Sequence, residues 1–102
     1  MEVNEKIKKI IHVFQNNRDK VCIIKFLGDL QNERIVNNLL CDYKNSKDGI
    51  KYLVLKDEYN TVTKIPEILI KDIHIESDEL DGNVEIKIYI YLPNSSLELF
   101  VS

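Results

Sequence analysis

The chain has 102 residues, 44% apolar and 30% charged, with a net charge of −3 and no Trp. That profile excludes a disordered polymer and fits a single domain over 1–102 with a core of its own. No apolar run approaches the roughly 18 residues of a membrane span. Charges interrupt the apolar positions of MEVNEKIKKI, so no secretory leader is expected there. Cys22 and Cys41 form no CxxC and no disulfide framework. They are expected as free, buried thiols in a cytoplasmic protein. Fifteen Ile, twelve Lys and ten Asn stand against two Arg and no Ala. An AT-rich genome produces that bias, so the choice of Lys over Arg carries no message about recognition.

The elements follow in chain order. Val3, Ile7, Ile10, Ile11 and Phe14 recur at helical spacing, which predicts an amphipathic helix over residues 2–17 with His12 facing water. Glu2 and Lys6, and Glu5 and Lys9, are favourable i,i+4 pairs on it. VCIIKFL, residues 21–27, is apolar on both alternations apart from Lys25, the pattern of a strand covered on both sides. Residues 33–44, ERIVNNLLCDYK, match helix and strand spacing alike, with Asn37 the misfit of the strand reading. The strand reading is preferred, because Asp48-Gly49 is a hairpin signal and needs an arm upstream of IKYLVLK to pair with.

IPEILIKDIHIE, residues 65–76, is expected as a further strand with Pro66 at its start. VEIKIYIYL alternates cleanly, with Val84, Ile86, Ile88 and Ile90 on one face and Glu85, Lys87, Tyr89 and Tyr91 on the other. Pro93-Asn94 turns the chain into LELFV, a last short strand. The sum is an α+β fold. An N-terminal amphipathic helix packs on a five- to six-stranded, mostly antiparallel curved sheet or a partly closed small barrel. In element order alone, a helix and then short strands, the chain resembles Sm-like and SH3-like barrels. The Asp-x-Met-Asn type of RNA-pocket motif of the Sm-like family has no counterpart in the sequence, and its function is not carried over.

Charge is distributed unevenly. Residues 1–56 carry net +4 and residues 57–102 net −7. Glu76, Asp78, Glu79, Asp81 and Glu85 crowd the segment IESDELDGNVEI. An EF-hand reading with Gly82 at position 6 fails, because position 12 is then Ile88, which has no oxygen ligand. Asp81-Gly82 between alternating runs reads instead as a hairpin turn. A turn does not require five carboxylates. They either keep an exposed sheet end soluble or project a field toward a basic partner. Asp72, His74 and Glu76 share one strand face, but three same-face residues roughly 6.5–7 Å apart cannot wrap one metal ion.

Phosphate cradles, nucleophile elbows and zinc-protease motifs are absent, so neither catalysis nor a cofactor is expected. An acidic chain with two Arg is a poor ligand for nucleic acid. The expectation is a non-enzymatic protein-binding module of inhibitor or immunity type, of the kind phages use against host defence nucleases. Its surface would be an acidic, Tyr-bearing C-terminal hairpin: Asp72, His74, Glu76, Asp78, Glu79, Asp81, Glu85, Lys87, Tyr89 and Tyr91. Its partner would be a basic protein, such as a nucleic-acid-binding protein or a nuclease. Tyr89 and Tyr91 either stand exposed there or lie under the helix or an adjoining loop. The alternatives are a small barrel binding RNA or a nucleotide-like ligand, and a structural subunit of a homo-oligomer.

Overall fold

The computed structural model describes every residue except Met1, Asp19, Asp29, Leu30, Thr61 and Asp81, and the side chain of every described residue except Leu80 and Asn83. The expected helix is α1 (Val3–Asn16), which buries Ile7, Ile10 and Phe14 and leaves His12 exposed. Its last turn is closed by Asn17, whose Nδ2 donates to the Val13 carbonyl at 2.7 Å. Eight strands follow among the described residues: β1 (Val21–Leu27), β2 (Asn32–Asn37), β3 (Leu40–Asn45), β4 (Lys51–Lys56), β5 (Val62–Pro66), β6 (Asp72–Leu80), β7 (Asn83–Tyr91) and β8 (Ser96–Val101).

They build two antiparallel sheets rather than one. The larger runs β2-β1-β8-β7-β6 and the smaller β3-β4-β5. Neither closes into a barrel, so both keep free edges. The core lies between them. Cys22, Ile24, Ile73, Ile88, Ile90, Leu97, Leu99 and Val101 of the larger sheet meet Leu53, Leu55 and Ile65 of the smaller one. The buried stripe of α1 completes the cluster, with α1 packed against the edge strands β3 and β6. No helix among the described residues is long and apolar enough to cross a membrane.

The extra strands arise where backbone conformation interrupts an apolar run. Residues 33–44 divide at Asn38, which sits at φ 54°. A left-handed residue ends a strand, and Asn tolerates that region better than other non-glycine residues. The half before it pairs with β1, from Val21↔Asn37 to Phe26↔Asn32. The half after it pairs with β4 across the Asp48-Gly49 turn, from Leu40↔Lys56 to Asn45↔Lys51. Residues 65–76 also divide. Pro66 ends β5, Glu67–Leu69 form a 3-10 turn, and β6 begins at Asp72.

Two polar contacts tie elements of the fold together. Tyr43 of β3 donates its hydroxyl to Glu67 at 2.5 Å, and desolvation together with that carboxylate pushes the phenol up to about 12. Asp57, just beyond β4, is buried. It accepts from Arg34 Nη1 of β2 at 3.3 Å and from the Tyr59 N–H at 2.9 Å. The ion pair therefore joins the two sheets.

Candidate functional site

β6 and β7 form the hairpin expected around Asp81-Gly82. The register runs from Asp72↔Tyr91 to Leu80↔Asn83, so a two-residue connection closes it. Gly82 has φ +81°, a backbone region that residues bearing a Cβ rarely adopt. Glu76, Asp78 and Glu79 therefore stand on β6 and Glu85 on β7, while Asp81 lies outside the described residues.

Pairing places the expected site residues opposite one another: Asp72 by Tyr91, His74 by Tyr89, Glu76 by Lys87 and Asp78 by Glu85. Because side chains alternate, these eight share one face of the sheet. Ile73, Ile86, Ile88 and Ile90, buried, point the other way. Glu79 does not join the group. It stands opposite Val84 and has the parity of Ile73 and Ile75, so it projects to the other side.

The tyrosines do not lie under α1. Tyr91 is 42% exposed and Tyr89 half-buried, on the side of the larger sheet away from the core. Tyr89 stacks with His74 at a ring-centroid distance of 6.0 Å and meets Phe100 edge-on at 6.3 Å. Lys25 Nζ stands 5.2 Å over the Phe100 ring.

The face extends well beyond the hairpin. Following the registers, one row across the sheet reads Ile35, Ile23, Phe100, Lys87, Glu76. The neighbouring row reads Glu33, Lys25, Glu98, Tyr89, His74. Among the described residues nothing covers this face: Ile35 remains 71% exposed, Val21 is exposed, and Ile23 and Phe100 are half-buried. This corrects the reading of β1 as covered on both sides. Cys22 and Ile24 enter the core, whereas Val21, Ile23 and Lys25 lie on the open face. Ile23, Ile35 and Phe100 escape sequence reasoning because a second apolar alternation in a strand signals burial, and nothing local says by what. The available signal is SLELF, where Phe100 takes the parity of Glu98 rather than that of Leu97 and Leu99.

The face is acidic. Glu33, Asp72, Glu76, Asp78, Glu85 and Glu98 stand against Lys25 and Lys87. Asp72 is bound by Lys6 Nζ of α1 at 2.7 Å, and Glu76 Oε1 lies 3.0 Å from His74 Nε2. The hydrogen bond from Lys6 holds the Asp72 carboxyl below the usual range. A depressed folded value means that the contact stabilises the fold above the ordinary carboxylate range and loses that effect as pH falls through the lowered value. Carbon-detected NMR should find Asp72 titrating low in the native protein and returning toward the ordinary range in Lys6→Met.

Among the described residues no three or more His, Cys, Asp or Glu groups gather as a metal site. Desolvation pushes the thiols of Cys22 and Cys41 up to about 12, so both stay protonated at neutral pH. Cys22 is buried as expected, while Cys41 is only partly so. No protein-family model, curated protein or solved structure matches the chain.

Proposed function

We propose that this protein is a non-enzymatic binding module that docks a basic protein through the open face of its five-stranded sheet. One observation carries the reading: an uncovered apolar and aromatic centre, Ile23, Ile35, Tyr89 and Phe100, is bordered by carboxylates. Apolar and aromatic anchors inside a polar border are how interfaces concentrate their binding energy. The border sets the sign of the partner. Six carboxylates against Lys25, Lys87 and the Lys6 that binds Asp72 favour encounter with a positive surface and repel phosphate, which disfavours the RNA-binding alternative.

A nucleic-acid-binding protein or nuclease offers such a surface, because its groove is built for a polyanion. Glu76 and Asp78, same-face neighbours on β6, and Glu85 opposite Asp78 gather three carboxylates that can stand in for phosphates there. Inhibition of such a partner, as in an anti-defence or immunity protein, follows from occupying its groove. A cytoplasmic setting belongs to the same proposal.

The test is affinity capture from an extract of the source cells, comparing the native protein with Glu76→Lys/Asp78→Lys/Glu85→Lys. The native protein should retain a basic protein that the triple variant binds about a hundredfold more weakly, with the variant's circular dichroism unchanged. Glu79→Lys, on the other side of the hairpin, should cost much less. Retention of the same partner by the triple variant at equal affinity, or a gel shift of RNA by the native protein, would overturn the reading.

A further inference from the structure

Hydrogen-bond parity across the larger sheet fixes what β6 leaves unpaired. Val21 and Ser102 exchange both backbone bonds, at 3.2 and 3.1 Å. Bonded and non-bonded pairs alternate along an antiparallel ladder. Through the registers, Ile23 and Lys25 then bond to Phe100 and Glu98. Leu97, Leu99 and Val101 turn their backbone groups to β7, and Glu85, Lys87, Tyr89 and Tyr91 turn theirs to β6. β6 thus bonds to β7 through Asp72, His74, Glu76 and Asp78. The N–H and C=O groups of Ile73, Ile75, Ser77 and Glu79 point out of the sheet. The Ile73 N–H is taken by Asp72 Oδ1 at 2.8 Å. Among the described residues no strand lies beyond β6.

This edge is long and is protected by charge of one sign only, since Asp72, Glu76, Asp78 and Glu79 repel an acidic strand and not a basic one. β6 spans nine residues and contains neither Pro nor Lys, two devices that blunt an edge. Beside it α1 leaves a groove of about 780 Å³, whose helix side carries Lys6, Lys8, Lys9, His12 and Val13 and whose strand side carries Ile73, His74 and Ile75, so that apolar side chains enter it more readily than basic ones. A strand added at the usual spacing of about 4.8 Å would alternate its side chains between two surroundings. One set would lie beside His74, Glu76 and Asp78 on the open face. The other would continue the side of Ile73 and Ile75, into the groove.

We propose that the basic partner adds an extended segment to the free edge of β6. Its basic side chains fall beside Glu76 and Asp78, and its apolar ones enter the groove toward Val13 and Ile75. The inference rests on the open face being the docking surface for a basic protein, and it supplies the mode of docking. Backbone bonds to the edge give affinity, and the alternating side chains give specificity. A second copy of this chain is the wrong occupant, because β6 beside β6 sets Asp72, Glu76, Asp78 and Glu79 among their own kind.

A peptide of the length of β6, alternating Lys with Val, is the probe. A version N-methylated at alternate residues lacks the backbone donors of one edge. The plain peptide should slow amide exchange at Ile75, Ser77 and Glu79. N-methylation of the peptide and Ser77→Pro in the protein should each weaken binding about tenfold or more, since each removes backbone hydrogen bonds. Proline is tolerated where the N–H points off an edge, and circular dichroism checks the variant. Should Ser77→Pro disturb the hairpin, the N-methylated peptide decides alone. Equal affinity of both peptides, or absence of binding by either, overturns strand addition. Slowed exchange at this edge that needs only a higher protein concentration overturns it too, in favour of self-pairing. If both peptides bind equally while Glu76→Lys/Asp78→Lys/Glu85→Lys still loses the partner, strand addition fails and the open-face reading stands.

Discussion

Asp57→Ala is expected to destabilise the fold by about 2–4 kcal/mol, lowering Tm by roughly 8–20 °C. The Asp57 side chain is 4% exposed and that of Arg34 is 34% exposed. Removing the carboxylate takes an acceptor from both the Arg34 guanidinium and the Tyr59 N–H. Arg34 can still reach water, which holds the loss below that of a pair buried at both ends. Asp57→Asn keeps an oxygen for the Tyr59 N–H and should cost less, about 1–2 kcal/mol. Urea unfolding of both variants checks the order. A loss for Asp57→Ala within about 0.5 kcal/mol would mean that the two sheets need no polar tie, since changes of that size are ordinary for surface sites.

Ile88→Ala should cost about 3–5 kcal/mol, because Ile88 is fully buried on the inner face of β7, an interior strand, and its loss leaves a cavity. Ile35→Lys, also an isoleucine in the same sheet, should change stability by no more than about 0.5 kcal/mol. Ile35 sits on the uncovered face at 71% exposure, so there is little burial to lose. The contrast separates apolar residues that build the fold from those that decorate it. Ile35→Lys should still impair capture of a basic partner, by adding like charge and removing an apolar anchor. If Ile35→Lys unfolds the protein as Ile88→Ala does, the face is covered in solution and cannot be the docking surface.

Local pattern alone makes α1, β1, β4, β7 and β8 legible. α1, β7 and β8 each have a run of one period, β1 and β4 are short continuous apolar runs, and for β7 the alternation also names the buried residues, Ile86, Ile88 and Ile90. The hairpin at Asp81-Gly82 is legible because its turn chemistry is local. The division of 33–44 is not. Asn37 registers as a misfit, but strand spacing on both sides of Asn38 is compatible with one continuous arm. Only the positive φ of Asn38 sends the two halves to different sheets. The division of 65–76 at the 3-10 turn escapes for a similar reason, since Ile68, Leu69 and Ile70 continue the apolar run.

The hairpin part of the candidate surface can be read from parity alone, because residues two apart on a strand must share a face. By that rule Asp72, His74, Glu76, Asp78, Glu85, Lys87, Tyr89 and Tyr91 share the open face, and Glu79, odd-numbered on β6, falls on the other.

By itself the sequence determined the amphipathic helix, the strand periods, the turn positions and the acidic excess of the second half, because each depends on neighbours a few residues away. Tertiary structure alone decided which strands adjoin and which apolar faces are covered. Those depend on pairings between residues far apart, such as Ile23 with Phe100 and Ile35. A local pattern specifies that a face is apolar. Whether that face meets the core or a partner is settled only when the sheets pack.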